Sequence, residues 1–295
     1  MKRLLFKLAS YYPCVYSFFC YHRKRKRREE FEKKILFFYQ TGSNPELNPK
    51  KVKNIVKGVF ELRGARKVMR YLIPLMDDQY IKRSVQAEGL GYLDKVLEKK
   101  QGAVLMAGHI GIPHFAFNAL RTMGYDVVLL SGVTPKEPRH LAYRYYDTQD
   151  KTIFVNDPSF SKVYKKRIIE TLEAGKIIYY DADAGEGRMK EPLSFLDREM
   201  NFPTGMIHLA RQAKAAVVPF IHLYRKGKIT LILKKPIDHD WAEGEGEYRR
   251  IVAEFAKLLE FHILKHPEQY MGIYGPTVLD DYFSSHVKNA VNPIR

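Results

Sequence analysis

From about residue 100 onward, short apolar runs alternate with stretches of helical periodicity. Six runs have the length and the β-branched or aromatic content of strands: 102–108, 126–131, 152–155, 176–183, 215–224 and 228–235. Helical patterns follow the first four and precede the fifth, at 114–123, 137–147, 160–174 and 204–213. This alternation predicts an α/β fold with a mostly parallel central sheet flanked by helices. The last two runs, split by Lys226 and Gly227, predict an antiparallel hairpin.

Two further helical patterns flank this region. A helix is predicted after Asn48 and Pro49, where apolar residues recur with helical spacing at Val52, Ile55, Val56, Val59 and Phe60. A closing helix is predicted over 244–265. No repeat, low-complexity tract or obvious linker interrupts residues 41–295, and the chain of 295 residues is long enough to bury a sizeable core. We therefore predict one α/β domain over 41–295.

The N-terminal residues have a different character. Residues 4–21 are largely apolar and aromatic, and six consecutive basic residues, 23–28, follow shortly after. Lys7 and Pro13 interrupt the apolar part, which favours a helix lying in the lipid headgroup region over a transmembrane helix of about 20 residues. A signal peptide would need small residues at a cleavage site, where this chain has arginines.

Residues 1–40 are therefore predicted to form a membrane-interface anchor with a polybasic strip. Basic residues beside an apolar anchor are retained on the cytoplasmic side. The predicted location is thus the cytoplasmic side of the inner membrane, with the chain either peripheral or held by a single N-terminal anchor. The alternative is an apolar helix packed on the core, beside a basic run that is a solvated face or a nucleic-acid arm.

The net charge of +17, from 50 Lys and Arg against 33 Asp and Glu, indicates an anionic partner. A phospholipid surface, an acidic molecule and nucleic acid all fit this charge. No recognised nucleic-acid module occurs in the sequence, so no nucleic acid is predicted as a partner. Cys14 and Cys20 have no metal-binding spacing, which indicates a reducing compartment without a disulfide framework.

Two polar, glycine-rich loops follow predicted strands. The first is GHIG, residues 108–111, and the second is DADAGEGR, residues 181–188. In a parallel α/β sheet the ligand crevice lies outside the carboxyl ends of the strands. The two loops are therefore predicted to converge at one edge of the sheet.

Three blocks in fixed order carry a family resemblance: residues 87–120, which contain MAGHIG, residues 174–187, which contain YYDADAG, and residues 193–237, which contain FPTGMIHLAR. Their order and spacing resemble the late lipid A acyltransferase family, which is lysophospholipid acyltransferase-like and of the lauroyl or myristoyl acyltransferase type. The resemblance extends over roughly residues 85–240. It implies a membrane-bound enzyme that faces the cytoplasm.

The resemblance also implies the reaction. Members of the family transfer a fatty acyl group from a thioester of acyl carrier protein or of coenzyme A to a hydroxyl of a lipid or glycolipid; for this chain an amine acceptor stays open as well. The implied partners are membrane lipids, acyl carrier protein and the acceptor lipid. The acyl thioester is a donor substrate, and no bound cofactor or catalytic metal is expected.

The catalytic motif departs from the family pattern at one position. Family members carry a histidine at a strand end, then four residues, then Glu or Asp. His109 matches the histidine, whereas His114 stands where the carboxylate is expected. An imidazole removes the proton of the attacking group, and a carboxylate orients it and stabilises the imidazolium. A neutral His114 can accept a hydrogen bond, but it supplies no negative charge.

Three interpretations of this departure stay open. In the first, Asp181, Asp183 or Glu186 on the converging loop supplies the missing charge. In the second, His114 belongs to a working but altered site. In the third, the chain is a catalytically degenerate, membrane-associated homologue that binds acyl chains or acyl carrier protein. His114 also has a plain structural explanation, as a cap of the helix after Pro113 or as a space-filling residue. We favour a retained enzyme with His109 as the general base.

The remaining candidates are predicted to bind substrate: Gly108, Gly111, Arg139, Glu186, Arg188, Arg198, Thr204 and Gly205. The two glycines beside His109 are expected to offer amide N–H groups to an oxyanion. The arginines are interpreted as phosphate contacts or, equally, as cations of a solvated loop. Thr204 is predicted to be an N-cap and Gly205 to begin a helix whose N-terminus faces an anion.

Overall fold

The computed structural model describes residues 2–40, 48–72, 77–131, 151–155, 163–183, 189–225, 227–241 and 245–274. Its helices are α1 (Lys2–Arg23), α2 (Arg25–Gln40), α3 (Pro49–Leu72), α4 (Asp78–Ser84), α5 (Leu90–Glu98), α6 (Pro113–Thr122), α7 (Tyr164–Glu173), α8 (Gly205–Gln212), α9 (Glu245–Lys265) and α10 (Met271–Tyr274). Its strands are β1 (Val85–Glu88), β2 (Ala103–Ala107), β3 (Val127–Ser131), β4 (Thr152–Phe154), β5 (Ile177–Asp181), β6 (Lys190–Phe195), β7 (Arg198–Pro203), β8 (Ala216–Arg225) and β9 (Lys228–Leu233).

The central sheet has seven strands in the order β1-β9-β8-β2-β5-β3-β4. The pairs β2–β5, β2–β8, β3–β5 and β3–β4 are parallel, while β8 and β9 form an antiparallel hairpin. Gly227 has φ +78° in the hairpin turn, where a side chain would be strained. The predicted α/β fold with a mostly parallel sheet is therefore confirmed, although the predicted helix 137–147 lies outside the described residues.

Alternate side chains of a strand point to opposite faces of the sheet, and in the central strands both sets are apolar. Helices therefore pack on both faces. Val104 and Met106 of β2 pack into the same hydrophobic cluster as residues of α8 and α9. Ala103, Leu105 and Ala107 belong to the opposite cluster, which contains residues of α5 and α6. Strands buried on both faces read as continuous apolar runs, which is why the sequence revealed them.

Among the described strands, β1, β6 and β7 were not predicted. β1 (VQAE) is mostly exposed and has no apolar run, yet it pairs in parallel with β9. Residues 190–203, for which no strand was predicted, form the β6–β7 hairpin. Its turn places Leu196 and Asp197 at φ +55° and +59°, without the glycine that usually marks such turns.

The three N-terminal helices pack together. α1 crosses α3 at Gly64, where an added Cβ would lie 3.0 Å from Pro13 and Tyr16. The Ser17 hydroxyl donates a hydrogen bond of 2.8 Å to the Lys57 carbonyl. The opposite face of α1 exposes Tyr11, Val15, Phe18, Phe19 and their neighbours. None of the helices in the described ranges is long and apolar enough to cross a membrane.

Candidate active site

The site lies at the carboxyl ends of β2 and β5. Ala107 is the register partner of Asp181, and the Ala182 amide donates to the Ala107 carbonyl over 2.7 Å. His109 and Asp183 each follow this level of the sheet by two residues. The convergence predicted for the two loops is therefore confirmed for residues 108–111 and 181–183, the parts of the loops that the structure describes.

His109 and Asp183 form the central contact. The Asp183 carboxylate lies 2.7 Å from His109 Nδ1, and it also accepts the His109 backbone N–H over 3.0–3.1 Å. The Tyr270 hydroxyl donates a further hydrogen bond to Asp183. The Asp183 side chain is only 1% exposed. Burial opposes ionisation of Asp183, but the charge and hydrogen bonds of His109 hold the pKa of this carboxyl below its usual range.

A second carboxylate faces the other ring nitrogen. Asp181 Oδ2 lies 3.7 Å from His109 Nε2, and the two side chains are 21% and 27% exposed. Burial alone would lower the pKa of His109, but the charges of Asp183 and Asp181 and the Asp183 hydrogen bond outweigh it and raise that pKa to about 9. Burial raises the pKa of Asp181. The free site thus stabilises an imidazolium between two carboxyl groups.

Two buried residues, Tyr179 and His222, form a hydrogen-bonded chain that ends at the Asp181 side chain. Tyr179 and Asp181 are two positions apart on β5 and so share one face of the sheet. The Tyr179 hydroxyl donates to Asp181 Oδ1 over 3.3 Å and lies 2.9 Å from His222 Nε2. His222, on β8, is fully buried, and burial lowers its pKa to about 3. His222 is therefore neutral at physiological pH.

The GHIG loop is fixed by backbone contacts. The Gly111 N–H donates to the Gln269 carbonyl over 2.9 Å, and Arg66 Nε donates to the Gly111 carbonyl over 2.9 Å. The His109 N–H binds Asp183, and the Ile110 N–H binds the Gly108 carbonyl. The expectation that Gly108 and Gly111 offer their amides to an oxyanion is therefore wrong for Gly111, because its N–H already has an acceptor.

The two glycines instead permit close packing. At Gly111, with φ +63°, an added Cβ would lie 2.1 Å from the His222 carbonyl oxygen. At Gly108 it would lie 2.9 Å from Leu259 and 3.4 Å from Asp183 Oδ2. Side chains at these positions would displace the backbone that carries His109. Their predicted role in substrate binding stays a prediction.

His114 lies in the first turn of α6 and is half-buried. Ile112 is the N-cap residue of this helix, so the interpretation of His114 as the cap is wrong. The His114 carbonyl accepts a hydrogen bond from Asn118 over 2.6 Å. In the family pattern, a carboxylate at the position of His114 is expected to orient Nδ1 of the histidine. Here Asp183 contacts Nδ1 of His109 instead.

The other predicted residues fall in different places. Thr204 is the N-cap of α8, as predicted, without a capping hydrogen bond from its side chain, and Gly205 begins the helix. Arg198 is 7% exposed on β7, so its interpretation as a cation of a solvated loop is wrong. Three further candidates lie outside the described residues: Arg139, Glu186 and Arg188.

The sequence did not single out Tyr179, Tyr270 or Arg66. Tyr179 was detectable in principle, because alternation along YYDAD puts it on the same face as Asp181. Tyr270 and Arg66 reach the site through tertiary contacts over long sequence separations, and no local pattern marks them.

The family assignment comes from the sequence comparison. The model of the bacterial lipid A biosynthesis acyltransferase family matches residues 45–274, which include every site residue described above. The chain belongs to this family. The protein is accordingly a lipid acyltransferase, an enzyme of lipid biosynthesis that uses an acyl donor and a lipid acceptor.

Solved structures give a weaker likeness. The 1-acyl-sn-glycerophosphate acyltransferase PlsC from Thermotoga maritima is 15% identical, with a TM-score of 0.38, and the match covers 81% of this chain and 98% of that chain. A search of curated proteins gave no match. Family membership therefore rests on the sequence match over residues 45–274 alone.

Proposed function

We propose that this enzyme transfers a fatty acyl group from a thioester of acyl carrier protein or coenzyme A to a hydroxyl or amine of a membrane lipid or glycolipid. His109 is the general base. Asp183 orients its imidazole ring and stabilises the imidazolium form, and no bound cofactor takes part. The observation that carries the proposal is the contact of 2.7 Å between His109 Nδ1 and the buried Asp183, inside the segment that matches the family.

The chemistry follows from this contact. With Nδ1–H directed at Asp183, Nε2 presents a lone pair to the acceptor and takes its proton as the nucleophile attacks the thioester carbonyl. The new C–O or C–N bond forms, the C–S bond breaks, and the imidazolium returns the proton to the leaving sulfur. Asp183 stabilises the imidazolium throughout. This supports the interpretation that an acid on the converging loop replaces the carboxylate missing at His114.

The acceptor and donor can be identified directly. The purified protein is incubated with total lipid extract from cells that lack it, and with an acyl group labelled on either acyl carrier protein or coenzyme A. The proposal expects label in a lipid band from at least one donor, and the parent strain should contain the same product. Transfer from neither donor would contradict the proposal.

We propose a membrane location from the surface of α1. Its exposed face carries Tyr11, Tyr12, Val15, Phe18 and Phe19, all at least 40% exposed. Residues 1–72 contain 19 Lys and Arg against 5 Asp and Glu, so they hold +14 of the total charge of +17. An aromatic face beside concentrated positive charge suits the headgroup region of an anionic bilayer. This supports the predicted anchor over residues 1–40, on the cytoplasmic side of the inner membrane.

Vesicle sedimentation tests this location. Phe18→Glu with Phe19→Glu should lower binding to vesicles of phosphatidylglycerol and phosphatidylcholine by at least tenfold, because two charged groups replace the inserted rings. The matched control is Phe261→Glu, an exposed phenylalanine on α9. Equal binding by the double variant and the control would contradict the assignment of α1 as the anchor.

A further inference from the structure

We infer that Tyr179 is a positioning residue for the reaction: its hydroxyl holds Asp181 away from Nε2 of His109 and so keeps that nitrogen open to the acceptor. The buried His222 fixes the direction of this hydroxyl. The inference deepens the proposed function and rests on its assignment of His109 as the general base. It comes from the unequal contacts that the two acids of the site make with one imidazole ring.

The two carboxylates approach the two nitrogens of the ring differently. Asp183 lies 2.7 Å from Nδ1 of His109, which is the distance of a hydrogen bond. Asp181 Oδ2 lies 3.7 Å from Nε2, beyond the range of an N–H···O bond. A shift of about 1 Å would close this second contact. Because a carboxylate attracts an imidazolium N–H, another group must hold Asp181 back.

The Tyr179 hydroxyl supplies this restraint. It donates a hydrogen bond of 3.3 Å to Oδ1 of Asp181. The Tyr179 ring is fully buried and packs edge to face against Phe117 and Phe220, with ring centroids 6.3 and 5.9 Å away. A ring packed in this way cannot follow Asp181 toward His109, because protein interiors are close-packed. Movement of Asp181 to Nε2 would therefore lengthen or break the bond to Tyr179.

His222 fixes which way the Tyr179 hydroxyl points. Burial lowers the pKa of His222 to about 3, so at neutral pH its ring carries one N–H. Its Nε2 lies 2.9 Å from the Tyr179 oxygen, whereas its Nδ1 has no hydrogen-bond partner within the described residues. An N–H on Nδ1 would be a buried donor without an acceptor, which is rare. The N–H is therefore on Nε2 and donates to Tyr179, whose own hydrogen is left for Asp181.

An imidazole bound by carboxylates at both nitrogens would be a poor base. As an imidazolium it would donate two charge-assisted hydrogen bonds, and loss of the Nε2 proton would break one of them. Burial lowers the pKa of His109, but the charges of Asp183 and Asp181 already raise it to about 9. A direct bond from Asp181 would raise this pKa further and would occupy the place of the acceptor.

Other groups near the base do not replace this restraint. Arg66 lowers the pKa of His109 through its charge, and its guanidinium donates to the Gly111 carbonyl. The titratable and charged groups around His109 and His222 are Asp181 and Asp183 at the end of β5, Arg66 on α3, His114 on α6 and Tyr270 before α10. Within the described residues, only Tyr179 donates a hydrogen bond to the Asp181 side chain.

NMR of the parent protein with ¹⁵N-labelled histidine gives the first test, and His109→Ala assigns the signals. At neutral pH the Nδ1 proton of His109 should lie far downfield, because it is bonded to Asp183. The Nε2 proton should lie near the position of a free imidazolium or be broadened by exchange with water. Two equally downfield protons would show Asp181 bonded to Nε2 and overturn the inference. This measurement needs neither acyl donor nor acceptor.

Tyr179→Phe removes the restraint and keeps the ring. The pKa of His109, followed by the same signals, should rise by about one pH unit or more, because Asp181 gains a charge-assisted hydrogen bond to the imidazolium. Below that pKa, kcat/KM should fall at least about tenfold. The matched control Tyr125→Phe removes a hydroxyl that donates to Asp94 over 2.7 Å, beside the amino end of β3. It should change neither quantity. An unchanged or lowered pKa in Tyr179→Phe would overturn the inference.

A second background isolates the role of Asp181. In Asp181→Asn, the further change Tyr179→Phe should not raise the pKa of His109, because no carboxylate is left to reach Nε2. An equal rise in both backgrounds would mean a purely structural role for Tyr179 and overturn the inference. If Tyr179→Phe does not fold, the spectrum of the parent decides. Unequal ring protons without acyl transfer from either donor would contradict the proposed function and leave the placement of Asp181 standing.

Discussion

Replacement of Asp183 by Asn removes a negative charge from the site while keeping the shape of the side chain. Asp183 is 1% exposed and lies 2.7 Å from His109 Nδ1, so solvent does little to screen the charge that is lost. Two effects should follow. The pKa of His109 falls from about 9 toward its ordinary 6.5, and the imidazolium that forms in the transition state loses its stabilisation.

The size of the effect can be bounded from both sides. The difference between a pKa of about 9 and 6.5 corresponds to about 3 kcal/mol, of which Asp181 supplies part. Loss of the larger share would lower the rate on the order of 100-fold. An Asn amide can also turn its NH2 toward Nδ1 and force the wrong imidazole tautomer, which costs about 10⁴ in the serine protease example. The expected fall lies between these figures.

The assay must cover a range of pH. At neutral pH the lower pKa of His109 increases the fraction of free base, whereas the lost stabilisation of the imidazolium slows the reaction. The parent, with a His109 pKa of about 9, should show kcat/KM that rises with pH with a midpoint near pH 9. Asp183→Asn should level at a lower pH and at a plateau reduced by about 10² to 10⁴. Asp126→Asn is the exposed control. A variant profile with the parent's midpoint, or with the parent's plateau, would refute the role of Asp183.

Three further predictions concern the surroundings of the base. His114→Glu should leave the high-pH rate within about threefold of the parent, because Asp183 already supplies the charge; a tenfold rise would contradict this. Gly111→Ala should lower the free energy of unfolding in urea by more than about 3 kcal/mol through its left-handed φ and its contact with the His222 carbonyl, whereas Gly91→Ala, with open space around it, should not. Because the pKa of folded His222 is about 3 against an unfolded 6.5, the unfolded state binds more protons, and His222 should contribute a fall in stability of about 1.4 kcal/mol per pH unit below 6.5; His222→Gln should reduce the slope by that amount and leave the share of His262, whose pKa burial lowers to about 4.

The sequence predicts the parallel sheet because its strands are buried on both faces and read as apolar runs. It does not reveal β1, whose four residues are paired but mostly exposed. Nor does it reveal the β6–β7 hairpin, because Leu196 and Asp197 adopt left-handed backbone angles that favour glycine or asparagine. Pairing and turn strain depend on the whole fold, and local pattern does not report them.

The candidate site divides in the same way. The position of His109 at a strand end, and of Asp181 and Asp183 on a converging loop, follows from the rule for open α/β sheets. Which of the two acids contacts Nδ1 is decided by the register of β2 and β5, which pairs Ala107 with Asp181. That register is a tertiary property. Tyr270 lies near the C-terminal end of the matched segment, far from His109 in the sequence. No local sequence pattern predicts that its hydroxyl reaches the site.

Acyl transfer by His109→Ala tests the central claim most directly. Parent and variant are compared at pH 9, where the imidazole of the parent is substantially deprotonated, with a labelled acyl thioester and the acceptor found in the lipid extract. Loss of the general base should lower kcat by at least about 10³, while the circular dichroism and thermal unfolding of the variant stay close to those of the parent. A folded His109→Ala variant that transfers acyl groups as fast as the parent would contradict the assignment of His109 as the base.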